Sequence, residues 1–165
     1  MPPVVFHVAN PLVLILIHSV QVDEMMSYAQ RKSSMPEAGG TLIGLRRGPH
    51  LEVTNITRPQ STDVRTRYGF IRRAHSHLAL VKRIWRKSGR TAGYLGEWHT
   101  HPESIPSPSQ TDIAGWRKMF AEQEIPLIHL IVGCKELRCW YLDERGEIRS
   151  TARLVEQASN VASDA

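Results

Sequence analysis

The chain has 165 residues, of which 41% are hydrophobic and 22% are charged, a composition that indicates a globular protein and excludes a disordered one. Its length suits one domain with a core of its own, and its apolar runs fall short of the roughly 20 residues that a membrane span needs. The formal net charge is +5, but no dense Lys/Arg run accompanies it, so we do not expect nucleic acid as a partner.

The first third of the chain reads as strands interrupted by one helix. Short runs rich in Val, Leu and Ile at residues 4–8 and 12–17 predict buried strands. Residues 20–29 carry apolar side chains at helical spacing and predict the first helix. Two further strands, 41–45 and 51–56, are separated by Gly-Pro and read as a hairpin.

The remaining elements follow a polar loop at residues 58–70. An amphipathic pattern predicts a helix over 74–89, and Ser109 is a good N-cap for a helix over 109–122. The predicted strands of this part cover residues 94–98, 126–133, 137–142 and 147–154. The fold class is therefore α/β (α+β), a mixed sheet flanked by about three helices. We expect one domain over 1–155 and a disordered tail over 156–165, which is small and polar.

Two histidines lie two residues apart after the predicted strand 94–98. In an extended segment His99 and His101 project from the same face, so both imidazoles can meet one ion. The prolines that follow stiffen the loop and lower the entropy cost of bringing Asp112 back to that point. Two His nitrogens and one carboxylate leave a tetrahedral zinc ion with one open position, which is typical of catalytic zinc.

Each part of this pattern also has a structural interpretation, since H-x-H occurs by chance and S-x-x-D is an ordinary helix start. Other metal-binding signatures do not fit: the chain lacks H-x-H-x-D-H and H-E-x-x-H, and it is too short for a (β/α)8 barrel. A second H-x-H, His75 and His77, falls in a helical segment where residues two apart diverge, so we expect a surface role for both.

The whole arrangement resembles the JAMM signature of the JAB/MPN metallopeptidases. The matching residues are His99-Thr100-His101-Pro102, then Ser109 and Asp112, together with an upstream Glu37 in Pro36-Glu37-Ala38-Gly39-Gly40-Thr41-Leu42-Ile43-Gly44. The resemblance covers about residues 10–145. It implies a single JAB/MPN domain with a curved, cytidine-deaminase-like mixed sheet.

The resemblance also assigns roles. It implies one Zn²⁺ per chain on His99, His101 and Asp112, with Glu37 as general base and Ser109 as oxyanion donor. The loop 58–70 stands where the family contacts the partner whose tail is cut, which makes Arg65 and Arg67 candidate substrate-binding residues. The tail is expected to add as a strand to a sheet edge near the site.

As a short, basic chain with the motifs GEWHTHP and SPSQTD, the protein resembles bacterial JAB deconjugases of anti-phage cyclic-oligonucleotide signalling (CBASS) operons. This implies a zinc isopeptidase that releases a conjugated nucleotidyltransferase or ubiquitin-like partner, together with E1- and E2-like operon partners. Trimming of sulfur-carrier proteins and a non-catalytic MPN scaffold remain alternatives. Two cysteines and the lack of a basic N-terminal signal region favour a cytoplasmic protein.

Overall fold

The structure, a computed structural model, describes residues 1–154. The predicted end of the domain at residue 155 and the predicted tail 156–165 lie outside the described residues. Three helices are present in the described part: α1 (Ser19–Ser27), α2 (Ala74–Lys87) and α3 (Gln110–Gln123). None of them is long and apolar enough to cross a membrane.

The strands form one large mixed sheet and one small hairpin. The large sheet has nine strands in the order β10-β9-β8-β7-β3-β4-β2-β1-β11, in which β2–β4 and β7–β8 are parallel pairs. The hairpin pairs β5 with β6. The strands are β1 Val4–Val8, β2 Val13–Ile17, β3 Gly39–Arg47, β4 His50–Ile56, β5 Val64–Thr66, β6 Gly69–Ile71, β7 Gly93–Thr100, β8 Leu127–Val132, β9 Leu137–Leu142, β10 Ile148–Ser150 and β11 Ala152–Leu154.

The predicted fold class is confirmed, and the sheet is strongly curved. β10 and β11 stand at opposite edges of the sheet, yet only Thr151 separates them in the chain. Because adjacent Cα atoms are about 3.8 Å apart, the sheet must curl until its two edges meet at this segment. The predicted single strand over 147–154 is therefore wrong: it divides at Thr151, whose hydroxyl donates to the carbonyl of Cys139 at 2.9 Å.

Hydrophobic clusters cover both faces of the central strands. On one face, Val22 and Met25 of α1 pack against the sheet core that includes Trp98 and Leu130. On the other face, Trp116 of α3 packs against alternate residues of β8 and β9. This explains why β8 is an unbroken apolar run with one histidine, since both of its sides are buried.

The segment predicted as a loop over 58–70 contains the β5–β6 hairpin, so the prediction is wrong for those residues. The hairpin lies beside the start of β3, where the ring of Phe70 would clash with a Cβ at Gly39, only 2.7 Å away. A side chain at Gly39 would push the hairpin off the sheet. Glycine at this position therefore lets β6 approach the strand that follows Glu37.

Candidate metal centre

His99 and His101 come from the end of β7 in the middle of the sheet. β7 pairs with β3 on one side, with Gly39 opposite His99, and with β8 on the other. The backbone N–H of His101, just beyond the strand, donates to the carbonyl of Val132 at 2.9 Å. Both imidazoles are thereby fixed on neighbouring, well-paired backbone, and their Nε2 atoms lie 3.1 Å apart.

Asp112 reaches the same point from the first turn of α3. Its Oδ1 lies 3.2 Å from Nε2 of His99 and its Oδ2 lies 3.3 Å from Nε2 of His101. Ligand atoms around a tetrahedral zinc ion with bonds of about 2.0 Å stand about 3.3 Å from one another. The two distances from Asp112 involve different oxygens, and one ligand atom from each residue lies within 4.8 Å of the others, so small side-chain movements would bring the three to the spacing of zinc ligands. They form the cluster of potential metal ligands found within residues 1–154.

Contacts within this cluster favour the ionised carboxylate of Asp112 and the protonated imidazole of His101. Burial opposes ionisation of Asp112, but hydrogen bonds with His101 and His99 outweigh it and hold the pKa of this carboxyl well below its usual range. Burial lowers the pKa of His101, but the hydrogen bond and charge of Asp112 raise it overall. A proton on His101 balances the negative charge of Asp112, and a bound cation would replace that proton, because imidazole binds metal in its neutral form.

Ser109 is the N-cap of α3, as the sequence predicts. Its hydroxyl accepts from the N–H of Asp112 at 3.1 Å and donates to Asp112 Oδ2 at 2.7 Å, while the N–H of Ser109 also donates to Oδ2 at 2.7 Å. This capping box is reciprocal. Ser109 therefore orients the carboxylate of Asp112 in addition to starting the helix.

Glu37 lies just before β3, and its side chain is buried, with 6% of its surface exposed. Burial raises its pKa from 4.5 to about 7, while the charge of His101 lowers it and the charge of Asp112 raises it again. A carboxyl with a pKa near neutrality is suited to both taking up and giving up a proton. Two other carboxylates near the motif are engaged elsewhere: Glu97 pairs with Arg72, and Glu103 accepts from the N–H of Ser107 at 2.8 Å.

The backbone around Glu37 is held by groups that sequence reasoning did not identify. The N–H of Ala38 donates to Oγ1 of Thr100 at 2.9 Å, and that hydroxyl donates to the buried side chain of Gln30 at 3.0 Å. Gln30 in turn donates to the carbonyl of Arg67 at 2.8 Å. The position of Thr100 between the two histidines was the available signal, because residues flanked by ligands on a strand point to the opposite face.

The two arginines predicted to bind substrate lie close to Glu37 and make contacts within the chain. Nε of Arg65 donates to the carbonyl of Glu37 at 2.7 Å, and Arg67 donates to the carbonyl of Lys32 at 3.0 Å. Each contact occupies one guanidinium nitrogen and leaves other donors of the same group for a partner. Substrate contact by Arg65 and Arg67 stays a prediction.

The predicted surface exposure is wrong for His77. His75 is exposed, but His77 is completely buried, with hydrogen bonds to Thr57 and Asp63. The helical spacing correctly sends the two side chains apart, and it places His77 on the face that packs against β7 and β3.

The strand edges close to the site also differ from the expectation. β3 and β7 are central strands, and the outer strands β10 and β11 of the nine-stranded sheet meet each other. The strand edges beside Glu37 belong to the β5–β6 hairpin, since the N–H of Glu37 donates to the carbonyl of Thr66 at 2.7 Å. An added strand near the site would therefore pair with the hairpin.

Comparison with known proteins identifies similar chains over most of this length. A family model described as prokaryotic homologs of the JAB domain matches residues 18–143. A protein named CD-NTase/cGAS isopeptidase from Escherichia coli (strain TW11681) is 44% identical over 123 residues, covering 74% of this chain and 78% of the relative. A protein of the same name from Vibrio cholerae serotype O1 is 40% identical over 143 residues, covering 87% of this chain and 90% of the relative.

Two further similarities extend this result. A probable metalloprotease, y4qB, from Sinorhizobium fredii is 32% identical over 129 residues, covering 74% of this chain and 78% of the relative. Among solved structures, protein DSY2949 from Desulfitobacterium hafniense superposes with a TM-score of 0.60 at 23% identity, covering 84% of this chain and 88% of that one. At that identity the structural similarity concerns the fold alone.

Proposed function

Because this chain belongs to the family of prokaryotic homologs of the JAB domain, we propose that it is a zinc-dependent isopeptidase. It cleaves the amide that follows the C-terminal residue of a flexible protein tail. The observation that carries this proposal is the convergence of His99, His101 and Asp112 within hydrogen-bond distance of one another beside the buried Glu37.

His99, His101 and Asp112 would hold one Zn²⁺ per chain, since two imidazole nitrogens and a carboxylate are ligands that zinc prefers. Bound there, zinc would supply the Lewis acidity that makes water a nucleophile near neutral pH and polarises the amide carbonyl. All three ligand groups are present and converge in this chain, which argues against a non-catalytic scaffold.

Glu37 is the proton carrier of the proposed reaction. Its carboxylate takes a proton from the attacking water as the C–O bond forms, and gives a proton to the amide nitrogen as the C–N bond breaks. The products are a free carboxylate on the tail and a free amine on the target. In the metal-free protein burial raises the pKa of Glu37 to about 7. A bound cation would favour the carboxylate, which is the form that takes a proton from water.

Ser109 would stabilise the oxyanion of the tetrahedral intermediate. Its hydroxyl donates to Asp112 in the structure, so rotation about one side-chain bond is needed to direct the proton at substrate. The backbone N–H of Ser109 also donates to the same oxygen of Asp112. The carboxylate therefore keeps a hydrogen bond from Ser109 when the hydroxyl turns away.

The substrate we propose is a nucleotidyltransferase joined through its C-terminal tail to a target protein, as in CBASS anti-phage defence. The support is that two relatives at 40–44% identity are named CD-NTase/cGAS isopeptidase. Conjugating enzymes of the E1 and E2 type would then form the bond that this protein breaks. Arg65 and Arg67, on and next to β5, would contact the body or tail of that partner.

A fusion substrate tests this function. The nucleotidyltransferase from the same operon is fused through its C-terminus to a reporter protein and incubated with the wild-type enzyme, with and without a chelator. We expect cleavage that the chelator stops and added zinc restores, and no inhibition by cysteine- or serine-directed reagents. An intact junction with a demonstrably exposed tail would contradict the deconjugase proposal, and cleavage of a sulfur-carrier fusion instead would support the trimming alternative.

A further inference from the structure

A buried chain of hydrogen bonds connects the sheet to helix α2 outside the metal centre. The hydroxyl of Thr57 accepts from the N–H of Thr41 at 2.7 Å and lies 2.5 Å from Nδ1 of His77. On its other side, Nε2 of His77 lies 2.9 Å from Oδ2 of Asp63, and both of these side chains are fully buried. A proton on Nε2 satisfies every group: Thr57 donates to Nδ1, and Nε2–H donates to Asp63.

Asp63 connects the two ends of the segment that contains the β5–β6 hairpin. Its carboxylate accepts from the N–H of Gln60 at 2.6 Å, on the chain entering the hairpin, and from the N–H of Arg73 at 2.8 Å, on the chain leaving it. Burial alone would raise the pKa of Asp63, but these two N–H groups and His77 lower it overall. Both ends of the hairpin segment are thus tied to α2 through His77.

The hairpin in turn fixes the backbone of Glu37. β5 begins directly after Asp63, and two of its three residues contact Glu37: Arg65 donates to its carbonyl at 2.7 Å and Thr66 accepts from its N–H at 2.7 Å. Glu37 precedes β3, so its own backbone groups are held by the hairpin and not by a strand of the large sheet. A displacement of β5 would therefore break both of these hydrogen bonds to the backbone of Glu37 and leave it held through its neighbour Ala38, which pairs with Thr100 of β7.

We propose that His77 is a positioning residue for the general base: by tying Asp63 to the sheet through Thr57, it holds the β5–β6 hairpin against Glu37. This inference rests on the proposed function for the role of Glu37 as base. The hydrogen-bonded connection from His77 to Glu37 stands on the structure itself. His77 therefore differs both from the candidate metal ligands and from the exposed His75 of the same H-x-H pair.

The test compares His77→Leu with His75→Leu, a matched control on the same helix whose side chain is exposed. Loss of the connection should lower kcat about 10–100-fold, as expected for a misplaced catalytic group, with a much smaller change in KM and unchanged zinc content. His77→Gln, which keeps a donor for Asp63, should restore much of the rate.

A second readout does not depend on activity. Hydrogen exchange at the amide of Glu37, which donates to Thr66, should accelerate in His77→Leu and Asp63→Asn and stay unchanged in His75→Leu, while β8 keeps its protection. Wild-type kcat together with wild-type exchange at Glu37 in His77→Leu would overturn the inference. If the wild-type enzyme cleaves no tail fusion, the proposed function fails, and the exchange comparison alone decides whether His77 positions Glu37.

Discussion

Replacing Glu37 by Gln should stabilise the metal-free protein, and the gain should grow with pH. Burial raises the pKa of Glu37 from 4.5 to about 7, so the folded state holds this proton more tightly than the unfolded chain does. Relative to a residue that does not titrate, Glu37 leaves the free energy of unfolding unchanged below about pH 4.5. It lowers that free energy as the pH rises, and the loss is complete once the pH has passed about 7. Gln keeps the shape of the neutral form and has nothing to titrate.

The magnitude follows from the shift. Relative to a group that does not titrate, the raised pKa of Glu37 lowers the free energy of unfolding by about 3 kcal/mol at pH 8. At pH 5 the reduction is about 1 kcal/mol, because the unfolded chain ionises while the folded state keeps the proton. For a domain of this size each kcal/mol moves Tm by about 2–4 °C, so Glu37→Gln should raise Tm by about 6–12 °C at pH 8 and by much less at pH 5.

The assay is thermal unfolding of the chelator-treated wild type and variant across pH 5–8. The protein must be free of metal, because a cation beside Glu37 would favour the carboxylate and reduce the difference. The raised pKa of His101 depends mainly on its burial and on Asp112, but the charge of Glu37 adds to it, so a smaller part of the difference between the two proteins comes from His101. A difference in Tm that is the same at pH 5 and pH 8 would refute the raised pKa, and with it the view that burial tunes Glu37 as a base.

Five further substitutions test individual groups. His99→Ala or Asp112→Ala should bind far less than one zinc per chain by metal analysis, and full occupancy would reject these ligands. Arg67→Glu should raise KM with kcat nearly unchanged. Arg65→Glu should also lower kcat, because Nε of Arg65 donates to the carbonyl of Glu37 in the wild type. Steady-state kinetics on the fusion substrate measures both constants, and identical effects of the two variants would contradict a role of Arg65 in holding Glu37. Ser109→Ala should lower kcat about 100-fold and stability by about 1 kcal/mol, and normal turnover would remove the oxyanion role.

The sequence predicted the elements of the sheet because their apolar periods are set locally. β1 and β9 have the predicted bounds, and β2, β4, β7 and β8 differ by one or two residues at their ends. The hairpin β5–β6 escaped prediction because its strands are only three residues each and are only partly covered. The hairpin is held in place by contacts with Glu37 and Gly39, which are distant from it in sequence.

The convergence of the three candidate metal ligands was predictable for a different reason. Its residues are spaced by the geometry of one strand, one loop and one helix turn, so spacing alone indicates that His99, His101 and Asp112 can converge. The burial of His77 was not predictable in this way, because helical spacing separates it from His75 without saying which side faces the sheet. Its partner Asp63 lies in a polar segment in which no periodicity marks a buried carboxylate.

The most direct test of the central claim is to determine which bond is cut and which residue the cut requires. The zinc-loaded wild type and zinc-loaded Glu37→Ala are incubated with the nucleotidyltransferase–reporter fusion, and the products are identified by intact-mass spectrometry. We expect the wild type to yield the nucleotidyltransferase ending at its own C-terminal residue, and Glu37→Ala to bind zinc and yield no product. Cleavage at another bond, or equal cleavage by Glu37→Ala, would contradict the account.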